Sequence, residues 1–279
     1  FAYLARCTDY LDLDAQNTAR VKGNAAHAVI THLFAGKTGC EAQSAFEKSY
    51  DEVYARTLNE TGMLLLLPEN KLEEQIFKRE LKICLQRLAA IMQANGLRAV
   101  SCEQAVQDSL GFALAEPDIL LHGFIDMHLQ DEQGRHIIFD FKWTSGKHHI
   151  DALRQNTSLQ LALYKALLEK QTGDANIRTA YFLMPAGLLI STHNWEGMNV
   201  LQITPQSDES LVEPLARSYR YRRKQIQNGQ IEQSEGAETA EIPYCQDAPA
   251  QHLFPLKTDK KVKAVFKFSK ISCFKNTLK

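Results

Sequence analysis

The spacing of hydrophobic positions changes near residue 96. Before that point, apolar residues recur at helical intervals over 23–34, 41–60 and 70–95, the last ending at Asn95-Gly96, a common helix stop. After it, short apolar and alternating runs predict strands over 97–106, 119–129 and 135–142. The turn sequence QDEQG between the last two runs predicts a β-hairpin.

The second half of the chain continues with mixed elements. The patterns predict a helix over 153–171, a hairpin made of 178–184 and 188–195, and a basic polar helix over 207–228. This order favours an α/β core spanning 1–228, with an N-terminal helical insertion at about 38–96. We interpret 229–250 as an acidic linker or loop, and 251–279 as a basic C-terminal segment with eight lysines against one aspartate.

Composition narrows the class of protein. The 279 residues are 44% hydrophobic, which is enough for a sizeable core, and the net charge of −1 excludes a polycation. No apolar run approaches the roughly 18 residues of a membrane span, so no membrane partner is expected. Six scattered cysteines and an acidic start without a secretory signal suit a cytoplasmic protein. Because the chain starts at Phe1 rather than Met, a piece of a longer protein is one interpretation.

The stretch IIFDFKWTSGK at 137–147 carries the candidate chemistry. Asp140 and Lys142 are two apart on a strand and therefore share a face, where burial is costly unless they are paired or metal-bound. Asp126, on the paired strand, is expected nearby, and two close carboxylates repel unless a divalent cation lies between them. Carboxylate oxygens suit Mg²⁺ or Mn²⁺, and a lysine beside such an ion suits phosphodiester hydrolysis. A structural ion pair is the alternative, and a D-x-K triplet taken alone indicates it more often.

A resemblance adds to this pattern. GFID at 123–126 followed by IIFDFK at 137–142 resembles the core of the PD-(D/E)xK nuclease superfamily, and more narrowly the RecB-like and AddB-like nuclease domains of helicase–nucleases. Gly23-x-x-x-His27 and Gln160-x-x-x-Tyr164 resemble two further motifs of that subgroup, in the same order. The resemblance implies a restriction-endonuclease-like α/β fold, with a central mixed β-sheet flanked by helices.

The same resemblance implies roles for individual residues. The implied metal ligands are His27, Asp126, Asp140 and the backbone carbonyl of Phe141. Lys142 would orient the attacking water or stabilise the transition state, while Gln160 and Tyr164 would line the site beside the DNA. Glu103 stands where these domains often carry a glutamate, although a solvated strand residue is an equal alternative.

The implied function is that of a metal-dependent DNA nuclease that hydrolyses phosphodiester bonds with a metal-activated water. We expect an exonuclease module in DNA repair or recombination, acting on a single strand or an unwound end supplied by a helicase domain or subunit. The chain has no phosphate-binding G-x-x-x-x-G-K-[ST] loop, so any motor must lie elsewhere. The alternative is a catalytically silent DNA-end-binding or scaffold module of the same fold.

Other features are weaker candidates. Relatives can hold an iron–sulfur cluster, but Cys7, Cys245 and Cys273 do not supply the four closely arranged ligands required, and none is expected. His27 and His32 are five residues apart, which does not match the i, i+4 spacing of two metal-binding histidines on one helix. His148 and His149 are predicted in an exposed loop. Trp143 either stacks on a base or packs in the core. Basic residues at 217–224 and in the tail form either a DNA-backbone footprint or a solvated face.

Overall fold

A computed structural model gives the fold and describes residues 18–108, 121–212 and 214–216. The described helices are α1 (Thr18–Phe34), α2 (Gly39–Thr61), α3 (Lys71–Ala94), α4 (Lys147–Arg154) and α5 (Leu159–Thr172). The described strands are β1 (Arg98–Asp108), β2 (Leu121–Gln130), β3 (His136–Lys142), β4 (Arg178–Leu183), β5 (Leu188–Ser191) and β6 (Val200–Gln202). These elements belong to one compact unit within Ala15–Asp108 and Leu120–Glu209.

The six strands form one mixed sheet in chain order, β1 to β6. The pairs β1–β2, β2–β3 and β4–β5 are antiparallel, whereas β3–β4 and β5–β6 are parallel. The parallel β3–β4 pair requires a crossover, and α4 and α5 provide it. The predicted α/β fold with a central mixed sheet flanked by helices is confirmed.

Two apolar layers hold the sheet. On one face, strand residues such as Phe139, Phe141 and Phe182 share a core with the buried sides of α1, α2 and α3. On the other face, Tyr181 and Leu183 of β4 pack with residues of α4, α5 and β5: Leu153, Leu161 and Ile190. Alternate residues of β3 and β4 therefore enter different layers, which is why the sequence between Ile137 and Phe141 is apolar almost throughout.

The N-terminal helices pack through aromatic contacts and one close approach. Helix α2 begins with a capping box, in which Thr38 and Glu41 each accept the other's backbone N–H. Tyr54 of α2 lies 5.9 Å from the ring of Phe77 in α3. Gly39 lies directly against the backbone of α3, because a Cβ there would stand 2.8 Å from Ala89 O and 2.9 Å from Gln93 Cα.

The predicted elements agree with the structure except after the D-x-K strand. The single helix predicted over 153–171 is wrong: the chain forms α4 and α5, separated at 155–158, where Asn156 adopts a left-handed φ of 52°. A left-handed residue cannot belong to a right-handed helix, so the chain leaves the helix at Asn156. Ser158 then takes the N-cap position of the next helix, α5. The exposed loop predicted for His148 and His149 is also wrong, because both lie in the first turn of α4.

Part of the predicted organisation falls outside the described residues. Of the helix predicted over 207–228, residues 207–211 are not helical, residues 212 and 214–216 are helical, and residues 213 and 217–228 are not described. The acidic segment 229–250 and the basic segment 251–279 also lie outside the described residues. The division into core, insertion, linker and tail stays a prediction.

Gly39→Ala should lower the free energy of unfolding by about 1–3 kcal/mol, because the added methyl overpacks the α2–α3 contact. Gly23→Ala is the matched control: it is also helical, and its Cβ would meet only Trp143 Cβ at an ordinary 3.9 Å. Its helix propensity should then raise stability by up to about 1 kcal/mol. Urea unfolding of both variants measures the difference, and equal stabilisation would contradict the close approach.

Candidate active site

The site lies where β2 and β3 separate. The last backbone pair between them is Met127 with Phe139, which sets Asp126 and Asp140 at the next opposed position. There Asp126 Oδ2 accepts the backbone N–H of Phe141 at 2.6 Å. The Asp126 carboxylate thus takes the place of a backbone partner and accepts a hydrogen bond from β3 where the two strands diverge. The expected proximity of the two aspartates follows from this register.

Asp140 is fully buried, at 0% exposure, and stands beside Tyr181 of β4 in the parallel register. Its Oδ2 forms an ion pair with Lys142, as their shared face predicts, and its Oδ1 has no hydrogen-bond partner within the described part of the chain. Burial and the nearby charge of Asp126 raise the pKa of Asp140 to about 7, against the opposing influence of Lys142. A carboxylate oxygen with no partner in such a place is rare in proteins.

His27, Glu103 and Asp126 form a second group of potential ligands. Their donor atoms all lie within 4.8 Å of one another. His27 Nδ1 is 2.8 Å from Glu103 Oε1 and 3.8 Å from Asp126 Oδ1. Burial alone would lower the pKa of His27, but the hydrogen bond to Glu103 and the surrounding carboxylate charges outweigh it and raise the pKa. Helix α1 therefore brings a histidine to the edge of the sheet, where two strands bring acids.

Glu103 belongs to this group because of an unusual backbone conformation. It has a φ of 50°, in the left-handed region that few non-glycine residues adopt. The register places it between Cys102, opposite Met127, and Gln104, opposite Ile125, so it faces Asp126 across the ribbon. Glu103 is exposed and also hydrogen-bonded to His27, so its role at the site stays a prediction.

These residues have the donor chemistry of a divalent-cation site. Asp126, like Asp140, has its pKa raised by burial, although His27, the Phe141 N–H and Lys142 oppose the shift. His27, Glu103 and Asp126 bring one imidazole and two carboxylates together, with Asp140 at the position opposite Asp126, and such nitrogen and oxygen ligands suit Mg²⁺ or Mn²⁺. The buried Asp140 oxygen, which has no hydrogen-bond partner among the described residues, is available as a metal ligand. The residues present fit a bound metal ion.

Phe141, the fourth implied ligand, donates its N–H to Asp126, and its ring lies edge-on to His27 with centroids 5.7 Å apart. The role of its carbonyl stays a prediction. Gln160 Nε2 donates to Tyr164 OH at 3.3 Å, so the predicted pair does meet on α5. The Tyr164 ring packs on Gly123 of β2, where a Cβ would stand 2.8 Å from Cε1.

Three residues on the α4–α5 side extend the site beyond the sequence prediction. The ring of Tyr181 lies 5.8 Å from Lys142 Nζ, and its hydroxyl is 2.8 Å from Ser158 Oγ. Burial raises the pKa of Tyr181 to about 12. His149 lies 4.6 Å from the Tyr181 ring, and burial together with the charge of Lys142 lowers its pKa to about 4. Only the parallel register brings Tyr181 beside Asp140, so no local pattern in the sequence could indicate it.

The remaining candidates lie elsewhere or outside the described residues. Trp143 packs edge-on against Phe77 at 4.9 Å, which supports core packing. His32 and His148 are exposed on their helices. The basic residues from Arg217 onward and three cysteines, Cys7, Cys245 and Cys273, are not described. None of the described helices is long and apolar enough to cross a membrane.

Comparison with known protein families agrees with this site. Residues 1–250 match the PD-(D/E)XK nuclease superfamily. The match covers most of the chain, so the protein belongs to that superfamily, and its sheet is the restriction-endonuclease-like fold. A search of curated proteins finds no significant match. Membership indicates a nuclease, a class that generally depends on divalent metals.

In metal-free protein, the contribution of Asp140 to the free energy of unfolding should fall as pH rises from about 4 to about 7. Folded Asp140 keeps its proton up to about pH 7, whereas an unfolded aspartate loses it near about 3.9, so ionisation favours the unfolded state across this window. Asp140→Asn removes this contribution, so its stability relative to wild type should increase as pH rises and be greatest above pH 7. Chemical unfolding in chelator at several pH values measures this.

Asp174→Asn is the control for that experiment. Asp174 is half-buried, and backbone hydrogen bonds lower its pKa, so its contribution to stability is present above about pH 4 and is lost only on acidification. Its replacement should leave the slope between pH 5 and 7 unchanged. An unaltered slope in Asp140→Asn would show that the carboxylate is ionised throughout.

Proposed function

We propose that this protein is a metal-dependent DNA nuclease that hydrolyses phosphodiester bonds. Superfamily membership supports the class. The observation that carries the proposal is the Asp140–Lys142 pair: the aspartate is fully buried beside a histidine–carboxylate group, Lys142 is half-buried, and one aspartate oxygen has no partner in the described part of the chain. A purely structural ion pair would satisfy both oxygens or leave them in water.

The proposed metal ligands are His27, Asp126, Asp140 and the backbone carbonyl of Phe141, with Glu103 either ligating or holding His27. A divalent cation there, Mg²⁺ or Mn²⁺, would supply Lewis-acid stabilisation of the phosphate. The hydrogen bond from His27 to Glu103 fixes the orientation of the imidazole. Such supporting carboxylates commonly tune a histidine ligand.

Lys142 is the proposed catalytic cation. Its ammonium is held between Asp140 and the face of the Tyr181 ring, so it is positioned before substrate arrives. From there it can donate a hydrogen bond to the attacking water or to a non-bridging phosphate oxygen. Either contact offsets the negative charge that develops in the transition state. Gln160 and Tyr164 are proposed to line the site beside the DNA strand.

The finer assignment concerns substrate and context. The motifs resemble those of RecB-like and AddB-like nuclease domains, which supports an exonuclease acting on single-stranded or unwound DNA in repair or recombination. A helicase domain or subunit would supply the strand, and the cytoplasm is the proposed location. A silent DNA-end-binding module of the same fold is the competing function. A silent module would not require a lysine paired with the buried aspartate. The presence of all the proposed metal ligands together with Lys142 therefore favours catalysis.

Lys142→Ala should reduce cleavage of labelled single-stranded DNA by at least about 100-fold, because it removes a preorganised transition-state cation. The control is Lys147→Ala, an exposed lysine five residues on, which should cleave as wild type does. A single-turnover assay with Mg²⁺ or Mn²⁺ measures both variants. Equal rates in Lys142→Ala and wild type would contradict its catalytic role.

Titration of Mn²⁺ by calorimetry should give a binding isotherm in wild type and none in Asp140→Ala. Glu103→Gln should weaken binding by about 10–100-fold if Glu103 acts through His27. Glu196→Gln, an exposed glutamate near Asn95, is the matched control and should bind as wild type does. Binding without cleavage in wild type would favour a nuclease awaiting its partner, whereas no binding would favour the silent module.

A further inference from the structure

The ribbon of β1 and β2 extends past the rest of the sheet beside the candidate site. Strand β2 pairs with β3 only from Met127 to Gln130, whereas its pairing with β1 runs on from Ile125 to Leu121. Within this extension, β2 has a strand neighbour on one edge only among the residues that the structure describes. The edge turned towards β3 adjoins the point where Asp126 and Asp140 face each other.

Helix α5 covers one side of this extension. The Tyr164 ring occupies the space where a side chain of residue 123 would lie, since a Cβ on Gly123 would stand 2.8 Å from Cε1. Lys170, further along α5, forms an ion pair with Asp108 of β1. Because side chains alternate along a strand, the residue after Gly123 points to the opposite side, away from α5.

That residue is Phe124, and its side chain has no described cover. It is 54% exposed, and its partner across the ribbon is Ala105, which is itself exposed and too small to shield a ring. Among the exposed large apolar side chains of the described residues, Phe124 is the aromatic one. It precedes Asp126 by two residues on β2, so the two Cα atoms lie about 7 Å apart along the strand.

An exposed ring at this distance from a phosphodiester-cleaving centre suits one ligand chemistry. Nucleobases stack on aromatic side chains with little regard to sequence, because every base has a π-face. Only an unpaired base is available for such stacking, since both faces of a base within a duplex are already covered by its neighbours. A ring of this kind would favour single-stranded over double-stranded nucleic acid, with little preference among base sequences.

We propose that Phe124 is a stacking platform for an unpaired base next to the scissile phosphate, and that it makes the site select single-stranded or frayed nucleic acid. This inference rests on the proposed nuclease function. Phe124 holds the nucleoside while the residues around Asp140 act on the phosphate. The side chain is a specificity determinant and takes no part in the chemistry.

The test begins with binding in a Lys142→Ala background, which prevents cleavage. Phe124→Ala should weaken binding of a fluorescent single-stranded oligonucleotide by about 5-fold or more, while Phe124→Trp should retain it. Val100→Ala is the matched control, because Val100 is an exposed apolar residue at the other end of β1, at 44% exposure. Its binding should equal that of the parent. Thermal unfolding verifies that each variant is folded.

A second arm separates stacking from general surface contact. One abasic residue is moved stepwise along the strand, and at one position it should weaken binding to the Phe124-containing protein but not to Phe124→Ala. Cleavage by Phe124→Ala with Lys142 restored should lose its preference for single strands over a blunt duplex. Equal loss on both substrates, or no abasic position that discriminates, would overturn the inference.

The two proposals fail in different ways. If wild type cleaves but Phe124→Ala behaves identically on every substrate, the stacking role is wrong and the nuclease function stands. If wild type neither binds nor cleaves any nucleic acid with Mg²⁺ or Mn²⁺, both are wrong. Retention in Phe124→Trp with loss in Phe124→Ala supports stacking when one abasic position also discriminates between them, because Phe and Trp both present an aromatic face to a base.

Discussion

The cost of burying the Asp140 carboxylate governs this structure. Fully excluded from solvent, it must be protonated, paired or bound to a cation, and Lys142 satisfies only one of its oxygens. Asp126 makes the position worse by placing a second acid at the next opposed position of the hairpin. A strand selected for stability alone would carry an apolar residue there, as its neighbours Phe139 and Phe141 do. A bound metal cation would stabilise both buried carboxylates, which accounts for this arrangement.

The two apolar layers offset the unfavourable free energy of burying Asp140. Phe139 and Phe141 anchor β3 in the core formed with α1, α2 and α3, while Tyr181 and Leu183 anchor β4 against α4 and α5. Asp140 is thus held on a strand that is buried through most of its length and is paired with β4 from Ile137 to Lys142. Rigidity of this kind is what a preorganised site requires.

Local patterns in the sequence predicted much of this. The i, i+2 spacing of Asp140 and Lys142 gave their shared face, and the short turn gave the meeting of Asp126 with Asp140. Two features depend on tertiary structure and could not be read locally. Glu103 reaches His27 through a left-handed backbone that glutamate rarely adopts, and Tyr181 reaches Asp140 across a parallel crossover. The break at 155–158 does carry a local signal, because these four residues, Gln-Asn-Thr-Ser, are all polar and Asn156 adopts a left-handed φ, but the helical patterns on either side outweighed it.

The pKa shifts explain how the site endures without a metal ion. Glu103, Asp126 and Asp140 bring three acids together, and Lys142 supplies a single permanent positive charge. His27, Asp126 and Asp140 all have raised pKa values, so each takes up a proton more readily in the folded protein. Protons occupy the electrostatic role that a divalent cation would otherwise fill. A metal ion that binds there must displace these protons, so its affinity should strengthen as pH rises. The same carboxylates thus link folding, protonation and metal binding.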